Sequence, residues 1–533
     1  MEQQPTTDRK TKIKWKNILI ALTVLCLFLC SGIGYRLVYI PWKNQGIAER
    51  TSSVRTDECG KSAKELTLVL DNFKGYAILR SKAFASELCR NGIVLTIVPD
   101  DADYEGRMKA LANGKADIAM FTMGTFLVNA AEYPKGQAPG TIGLMIDISN
   151  GADGAVAVKD VYLDIDSLND ARTKLVMMPE SPSEELALRL LSDFSLPLLS
   201  QDAFENAKSQ EAIRYRASIA GEQGAEVYFL WEPYLSQALA LNSKLHGVFD
   251  SSMVWMSVVD FAAYSRARQD ADPELFVAFD EAYLRVRNTL TNEQDSMVDL
   301  LIEDGVTTGE EIELDDAKGM VSRIIWPGTH ENYGYFGLLP DAKITLDQLI
   351  ENAARVAVAQ GQIKEKPYDD PRDLYYNEAL AKLQSENFHP RMRGSNVTGE
   401  ALPGMQVAAE LPALSDAEWD DIVRMGSMRI PKISFTGSSA KIGSLSGPKT
   451  IRQIVSQLTQ YDQYYLLVVG HARSGGKYPE KDKQLAIDRA NAVASEIVVQ
   501  GISKNRVRAI GAPPSGNTGA SQSVSFVLMQ APF

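Results

Sequence analysis

The sequence predicts an α/β protein with two hinged lobes, a third C-terminal α/β unit and one N-terminal transmembrane helix. Three observations predict this plan. Short apolar runs alternate with amphipathic stretches from residue 62 to about 364, which is typical of α/β sheets. Two joints rich in Gly, Asp and Ser divide that region at 148–154 and 249–254. A single uncharged, apolar run occupies residues 17–34.

The N-terminal run indicates the compartment. It comes close to the length that crosses a bilayer, basic residues fill 9–16 before it, and interfacial aromatics follow up to Trp42. Positive charge on the short side predicts that side in the cytoplasm and the bulk of the chain in the periplasm, on the inner membrane. The predicted segments are a basic N-terminus at 1–16, an anchor at 17–42 and a spacer at 43–61. A cleaved signal peptide and a lipoprotein signal are the alternatives, although a clean small-x-small site is missing and Leu precedes both Cys26 and Cys30.

Composition limits the function classes. The chain has 533 residues, enough for two or three domains, and a net charge of −13. This acidic balance argues against a nucleic-acid-binding protein, which shows a basic stripe. Beyond the apolar run the cysteines are Cys59 and Cys89. In an oxidising compartment they would form one disulfide between the N-terminal arm and the first helix; two unpaired thiols are an equal alternative.

The elements follow in chain order. Predicted strands include 66–71, 94–100, 116–122, 173–179 and 225–233, because each is a short apolar run, and helical patterns lie between them. Strands and helices alternating in this way predict a parallel, doubly wound sheet. The two joints predict a chain that crosses from lobe one to lobe two and back, within a unit at 62–364. A mixture of Pro, Gly and charge predicts a linker at 365–425, before the unit at 426–533.

Ligand contacts are expected beyond the carboxyl ends of the strands. Helix N-termini there present free N–H groups that favour anionic oxygens. Three loops fit, at 72–76, 122–125 and 180–183. The predicted ligand-binding residues are Asn72, Tyr76, Thr122, Thr125, Ser181, Ser183, Trp231 and Glu232.

Alternatives remain for several of these residues. Ser181 and Thr125 could act only as helix caps, with Pro182 at the first helical position after Ser181 and Glu184 completing a capping box. Trp231 could be a core residue rather than a wall of the cleft. Acidic residues at the same strand ends, namely Asp71, Glu180 and Glu232, would repel a bare anion. A zwitterionic or amine-bearing ligand is therefore an alternative to an anion.

Residues 62–360 resemble the extracytoplasmic solute-binding proteins of ABC importers. The matching segments are "DNFKGYAILRSKAF", "GKADIAMFTMGTFL" and "LWEPYLSQAL". The resemblance implies a two-lobed periplasmic-binding-protein fold with a hinge. It favours the branch with nitrate-, sulfonate- and taurine-binding receptors, followed by phosphate-binding relatives. A transporter permease or an envelope complex is the partner that it implies.

The C-terminal unit resembles the OmpA-like peptidoglycan-binding domain through "ISFTGSSAKI", "VVGH", "LAIDRANAV" and "GISKNRVRAIGAPP". In that family an Asp and an Arg bind the diaminopimelate of the wall peptide. The resemblance places peptidoglycan contacts at His471, Arg473, Asp482 and Arg489. Because Arg473 stands where the family has the Asp, half of the clamp is missing. A domain that binds another envelope protein is the alternative.

The residue pattern does not favour an enzyme. The four histidines lie far apart without metal-ligand spacing, and no nucleophile-elbow motif occurs. We therefore expect no catalytic residues, no cofactor and no metal. The resulting prediction is a membrane-anchored solute-binding protein that captures a small polar or anionic ligand between two lobes, tethered to the cell wall by the OmpA-like module. The alternative is a non-transporting envelope scaffold with a degenerate cleft.

Overall fold

The computed structural model describes most of the chain after the spacer. The described residues are Cys59, 63–389 except 201, 223, 293, 341 and 343, and 411–531 with gaps at 431–432, 434, 437–438, 444–446, 472–478 and 513–523. The predicted basic N-terminus, the anchor, the spacer other than Cys59, and Arg473 lie outside them. Among the described helices, none has the length and apolar character needed to cross a bilayer.

Fifteen strands and seventeen α-helices are present in the described residues. The strands are β1 (Lys64–Leu70), β2 (Ile93–Pro99), β3 (Ile118–Thr122), β4 (Gly140–Ser149), β5 (Asp153–Val158), β6 (Lys174–Met177), β7 (Phe204–Asn206), β8 (Glu226–Trp231), β9 (Leu245–Asp250), β10 (Val259–Ser265), β11 (Ile324–Ile325), β12 (Val423–Ser427), β13 (Tyr465–Gly470), β14 (Val507–Gly511) and β15 (Val524–Gln530). The helices are α1 (Ala77–Arg80), α2 (Lys82–Arg90), α3 (Tyr104–Ala112), α4 (Met123–Ala130), α5 (Pro182–Asp193), α6 (Gln210–Ser218), α7 (Tyr234–Leu241), α8 (Arg266–Ala271), α9 (Pro273–Thr291), α10 (Gln294–Thr308), α11 (Leu314–Arg323), α12 (Thr329–Tyr335), α13 (Leu346–Ala359), α14 (Glu378–Ser385), α15 (Asp416–Asp421), α16 (Gly447–Leu458) and α17 (Pro479–Val499).

Each lobe is built on one mixed sheet. Lobe one has the strand order β11-β4-β10-β3-β1-β2, and lobe two has the order β7-β6-β8-β5-β9. In both lobes three neighbouring strands are parallel, and the strand that arrives from the other lobe (β10 or β5) pairs antiparallel with its neighbours. The predicted purely parallel sheet is therefore wrong. An arriving strand must start at the hinge and run away from it, whereas its two neighbours in the sheet run towards the cleft.

The chain crosses between the lobes twice, at 150–152 and 251–258, and both crossings fall at the predicted joints. The two crossings are bonded to each other. The hydroxyls of Ser149 and Ser251 lie 2.7 Å apart, and the amide of Gly151 donates to Ser251 Oγ at 2.8 Å. The amide of Ser251 donates to the carbonyl of Asp153 at 2.9 Å. These bonds hold the crossings side by side, as a hinge between the lobes requires.

Residues 365–389 complete lobe one, so the predicted linker at 365–425 is wrong over this part. The amide of Tyr376 donates to the carbonyl of Ile142 in β4 at 2.8 Å. Helix α14 buries Leu380 and Leu383 in the core of lobe one, since residues three apart share one helix face. Further along, Trp419 of α15 packs on the C-terminal unit. Of the predicted linker, residues 390–410 lie outside the described residues.

The C-terminal unit is a four-stranded sheet with the order β12-β15-β13-β14. Helices α16 and α17 contribute Ile454 and Val493 to its core. Helix α17 passes very close to the end of β13, because a Cβ on Gly470 would overlap the backbone carbonyl of Ala486. The glycine is therefore needed at this position for helix and strand to pack.

Lobe two and the C-terminal unit share one hydrophobic core. The ring of Phe194, which follows α5, lies edge-on to Phe249 of lobe two at 5.8 Å and to Tyr461 of the C-terminal unit at 5.9 Å. The amide of Ser195 donates to the carbonyl of Ser427 in β12 at 2.8 Å. In the described residues the C-terminal unit thus packs directly on lobe two, beyond what the predicted linker at 365–425 implies, because apolar surface on both units is removed from water where they meet.

A buried polar cluster lies within this interface. Asp193 is fully buried, and its Oδ2 accepts hydrogen bonds from Arg189 Nε at 2.5 Å and from the hydroxyl of Tyr461 at 2.7 Å. The hinge segment also contacts the C-terminal unit, since the amide of Trp255 donates to the carbonyl of Gln460 at 2.9 Å. The C-terminal unit is therefore attached both to lobe two and to the hinge.

Cys59 and Cys89 form a disulfide, with Cα atoms 4.7 Å apart. Of the two alternatives that the sequence left open, the structure has the pair. The bond ties the described start of the chain to the last turn of α2.

Candidate functional site

The carboxyl ends of the strands from both lobes face a single cleft. In lobe one β1 leads into Asp71, and in lobe two β8 ends at Trp231. The gap between the lobes has a volume of about 290 Å³, including the part open to solvent. It is lined by Asp71, Phe73, Tyr76, Tyr104, Asp153, Pro182, Trp231, Val258 and Asp260. We call this gap the interlobe cleft.

Carboxylates are concentrated in the interlobe cleft. Asp153 and Asp260 are each 2 % exposed, and Asp147 on the adjacent β4 is fully buried. The hydroxyl of Tyr76 donates a hydrogen bond to Asp260. Among the described residues, Oδ1 of Asp153 and both carboxylate oxygens of Asp147 have no hydrogen-bond partner. Burying such groups without partners is costly, so each needs a proton, a donor or a cation.

The carboxyls also raise one another's pKa. Burial is the main cause for each: it raises the pKa of Asp153 to about 7, with Glu232 adding to the effect and a hydrogen bond with Ser149 opposing it. Burial, and then neighbouring carboxylates, hold the pKa values of Asp147 and Asp260 well above their usual range. Without a ligand, the group therefore retains protons near neutral pH.

An arginine beside the cleft is already paired. Arg107 is fully buried, and its Nη2 donates to Asp71 Oδ2 at 2.7 Å and to Asp100 Oδ1 at 2.6 Å. Its Nη1 donates to the carbonyl of Met120 at 2.7 Å. This guanidinium is therefore engaged by protein groups on both of its Nη atoms.

The N-terminus of α4, where the sequence placed an anionic ligand, receives a carboxylate from lobe two. Glu185 of α5 accepts a hydrogen bond from Thr122 Oγ1 at 2.9 Å and another from the amide of Gly124 at 3.1 Å. A Cβ on Gly124 would lie 2.6 Å from the carboxyl carbon of Glu185, so the glycine permits this approach. Burial raises the pKa of Glu185 to about 7, although both hydrogen bonds oppose that rise.

Two further contacts join the lobes. Arg323, at the end of α11 in lobe one, forms an ion pair with the buried Glu232 of lobe two. The hydroxyl of Tyr234 in lobe two donates to Glu310 Oε1 in lobe one at 3.2 Å. Together with the Glu185 contact, these bonds hold the lobes in a closed arrangement.

The structure separates the predicted ligand-binding residues into two groups. Tyr76 and Trp231 line the interlobe cleft, and the half-buried Asn72 lies on the loop beside it. Thr122 and Thr125 form a capping box on α4, and Thr122 also binds Glu185. These threonines are therefore both caps and a contact between the lobes.

The remaining predicted residues bond to protein groups outside the cleft. Ser181 Oγ donates to the carbonyl of Met178 at 2.7 Å and lies 2.9 Å from Ser183 Oγ. The predicted capping box of Ser181 with Glu184 is absent, since Glu184 instead accepts from the amide of Glu180 at 2.7 Å. The Ser181 hydroxyl is turned back to the preceding loop. Glu232 contacts Arg323 and Ser236 rather than the cleft.

Sequence reasoning missed the acidic residues that define the cleft. Asp153 is the first residue of β5, and Asp260 is the second residue of β10. The sequence carried a signal for both, because Asp153 lies within the first predicted joint and Asp260 follows the second by a few residues. The sequence gave no such signal for Glu185 or Arg323, because each lies on a helix of one lobe and contacts the other lobe.

The predicted wall-binding residues lie on the C-terminal unit. His471 Nε2 lies 2.7 Å from Ser525 Oγ, and Asp482 is partly exposed in the first turn of α17. Arg489 is only 1 % exposed, its Nε donates to the carbonyl of Ser439 at 3.1 Å, and its guanidinium lies 4.9 Å from the ring of Phe435. The structure thus packs Arg489 into the unit rather than on its surface.

Comparison with known proteins identifies the C-terminal unit. Residues 434–522 match the OmpA family. Among the curated proteins, none matches this sequence. The prediction of an OmpA-like domain at the C-terminus is confirmed.

Solved structures similar to this chain include periplasmic binding proteins. A sulfonate-binding protein of an ABC transporter from Methylobacillus flagellatus is 14% identical over 62% of this chain and 97% of its own, with a TM-score of 0.46. The aliphatic sulphonate-binding protein of Escherichia coli is 15% identical over 59% and 92%, with a TM-score of 0.42. The nitrate-binding protein of Synechocystis is 12% identical over 60% and 98%, with a TM-score of 0.39. Both resemblances seen in the sequence thus recur, but likenesses this distant carry no argument about a ligand.

Proposed function

We propose that this protein is an extracytoplasmic solute-binding protein, anchored in the inner membrane by residues 17–42, that captures a small polar ligand between its two lobes. The main observation in support is the interlobe cleft at the strand ends. There the buried Asp153 presents an oxygen without a hydrogen-bond partner among the described residues. A ligand that supplies the missing partner would offset the cost of burying that carboxylate. Because the cleft is lined from both lobes, such a ligand would stabilise the closed arrangement.

The C-terminal unit supplies the second part of the proposal. Its match to the OmpA family supports a role at the peptidoglycan, and its shared core with lobe two supports a fixed mounting. With lobe two held at the cell wall, opening and closing would move lobe one. A permease or another envelope protein would then sense the position of lobe one.

A thermal-shift screen of the full-length chain in detergent tests the ligand-binding role. The panel contains phosphate, nitrate, sulfonates, amino acids, amines, amidines and pyrimidines. A saturable rise in the unfolding temperature supports the proposal, since a ligand at about 100 times its Kd stabilises the native state by about 2.7 kcal/mol. A shortened fragment ending near residue 363 is unsuitable, because residues 365–389 complete lobe one.

One observation favours a second candidate, an envelope scaffold without a ligand. The lobes already close on each other through their own side chains, with Glu185 at the N-terminus of α4. If the protein is folded and no compound of the panel changes its unfolding temperature, the result would favour this scaffold. Binding of the wall module is tested separately, by co-sedimentation of the full-length chain with purified peptidoglycan.

A further inference from the structure

We infer that the ligand of the interlobe cleft is a small organic cation with N–H donors, a primary ammonium or an amidinium. This inference rests on the proposed function and narrows it to one ligand class. Three properties of the cleft carry it: carboxyl groups from both lobes, an unpaired acceptor and aromatic walls.

Carboxyl groups face the cleft from both lobes, and burial raises the pKa of Asp153 to about 7. Asp71 and Asp260 approach from lobe one and Asp153 from lobe two, and the nearby Arg107 is shared between Asp71 and Asp100. A cation in the cleft would favour the ionised form of these carboxyls and would then be attracted to both lobes at once. The cation would then favour closure, because only the closed arrangement brings all three carboxylates to it.

The acceptor pattern calls for hydrogen-bond donors as well as charge. Asp153 is 2 % exposed and lines the cleft, yet its Oδ1 has no partner among the described residues. Its amide, by contrast, is satisfied by Ser149 Oγ at 3.0 Å. An ammonium or amidinium N–H would complete the carboxylate with a charge-assisted hydrogen bond. A quaternary ammonium could supply charge but no donor.

The aromatic lining fits an organic cation rather than a metal ion. Trp231 of lobe two and Phe73, Tyr76 and Tyr104 of lobe one surround the gap. Aromatic faces attract ammonium and guanidinium groups through their quadrupoles, and Trp does so best. Tyr104 already shows this behaviour, since the guanidinium of Arg107 lies 4.6 Å from its ring.

One place predicted for an anion is already filled. The N-terminus of α4, one of the three loops where the sequence predicted anionic oxygens, receives the carboxyl group of Glu185.

Calorimetric titration of the full-length chain in detergent tests the inference. The cationic probes are ethanolamine, putrescine and acetamidinium. Ethylene glycol is the neutral counterpart of ethanolamine, and tetramethylammonium is a cation without N–H groups. Methanesulfonate, nitrate, phosphate and calcium chloride complete the set. We expect saturable binding of at least one N–H cation, with ethylene glycol, tetramethylammonium, calcium and the three anions at least about thirtyfold weaker.

Asp153→Asn provides the matched variant, and Asp160→Asn at an exposed position is its control. The first should weaken binding of the cation at least about thirtyfold, and the control should leave it unchanged. The unfolding temperature of the unliganded Asp153→Asn protein should stay the same or rise, because a buried carboxylate without a partner is removed. A purely structural role for Asp153 would instead lower it.

The outcomes separate the inference from the proposed function. Tighter binding of an anion, of calcium, of tetramethylammonium or of ethylene glycol would overturn the inference and leave a solute-binding protein. Unchanged cation binding by Asp153→Asn would also overturn it. If no probe binds and the broader thermal-shift panel is silent as well, both the inference and the proposed function fail. The comparison of ethanolamine with ethylene glycol needs no variant and holds even if Asp153→Asn does not fold.

Discussion

The substitution Glu185→Gln probes how lobe two closes on lobe one. Glu185 accepts hydrogen bonds from Thr122 at 2.9 Å and from the amide of Gly124 at 3.1 Å. Of the charged groups around it, Asp153 raises its pKa and Arg189 lowers it. Glutamine keeps the shape and one acceptor oxygen but cannot ionise. The variant therefore shows how much the ionisation of Glu185 contributes to the free energy of unfolding.

The size and sign of the effect follow from the pKa. Burial raises the pKa of Glu185 from 4.5 to about 7, which corresponds to about 3 kcal/mol. Because the folded pKa lies above the unfolded one, this proton contributes stability that is complete below about pH 4.5 and is lost as the pH rises to about 7. Glutamine does not ionise, so the variant does not lose stability in this way. The free energy of unfolding of the variant, relative to the natural protein, should thus rise by up to about 3 kcal/mol across that window and then stay level.

Urea unfolding of both proteins, followed by tryptophan fluorescence from about pH 5 to about pH 8, measures this difference. Glu211→Gln, at an exposed position in the first turn of α6, is the control and should show no such trend. A difference between Glu185→Gln and the natural protein that does not change with pH would refute the reasoning. It would mean that the carboxyl is not buried against α4.

Three further substitutions test other contacts. Arg323→Met leaves the buried Glu232 without its ion-pair partner and should destabilise the closed lobes by about 2–4 kcal/mol. Small-angle scattering would detect the opening of the lobes, and an unchanged radius of gyration would contradict this prediction. Tyr461→Phe removes a donor from the buried Asp193 and should lower the free energy of unfolding by about 1–3 kcal/mol. In the natural protein, lobe two and the C-terminal unit should unfold in one transition, and separate transitions would argue against their shared core. Reduction of the Cys59–Cys89 disulfide, whose residues are 30 positions apart, should cost about 3–4 kcal/mol; equal denaturation midpoints with and without reductant would disprove this.

The site divides into residues that local pattern could predict and residues that it could not. Tyr76 and Trp231 were predicted because each lies near a strand end, and strand ends can be located from short apolar runs. Asp153 reads in the sequence as part of a polar joint. Only the fold shows that it begins a strand and enters the cleft. Glu185 reads as one of several charges on an amphipathic helix. Its role depends on the opposite lobe, which no local pattern reports.

Features that depend on near neighbours could be predicted from the sequence: the alternation of strands and helices, the two joints and the OmpA-like C-terminal unit. How distant segments meet could be seen only in the folded chain. Composition predicted a linker at 365–425, yet Leu380 and Leu383 lie in the core of lobe one. Likewise Phe194 and Tyr461, far apart in the chain, lie in one core. The physical reason is that burial of apolar surface has no preferred direction or sequence separation. A pattern along the chain shows that a side chain will be buried, but only the folded structure shows what it packs against.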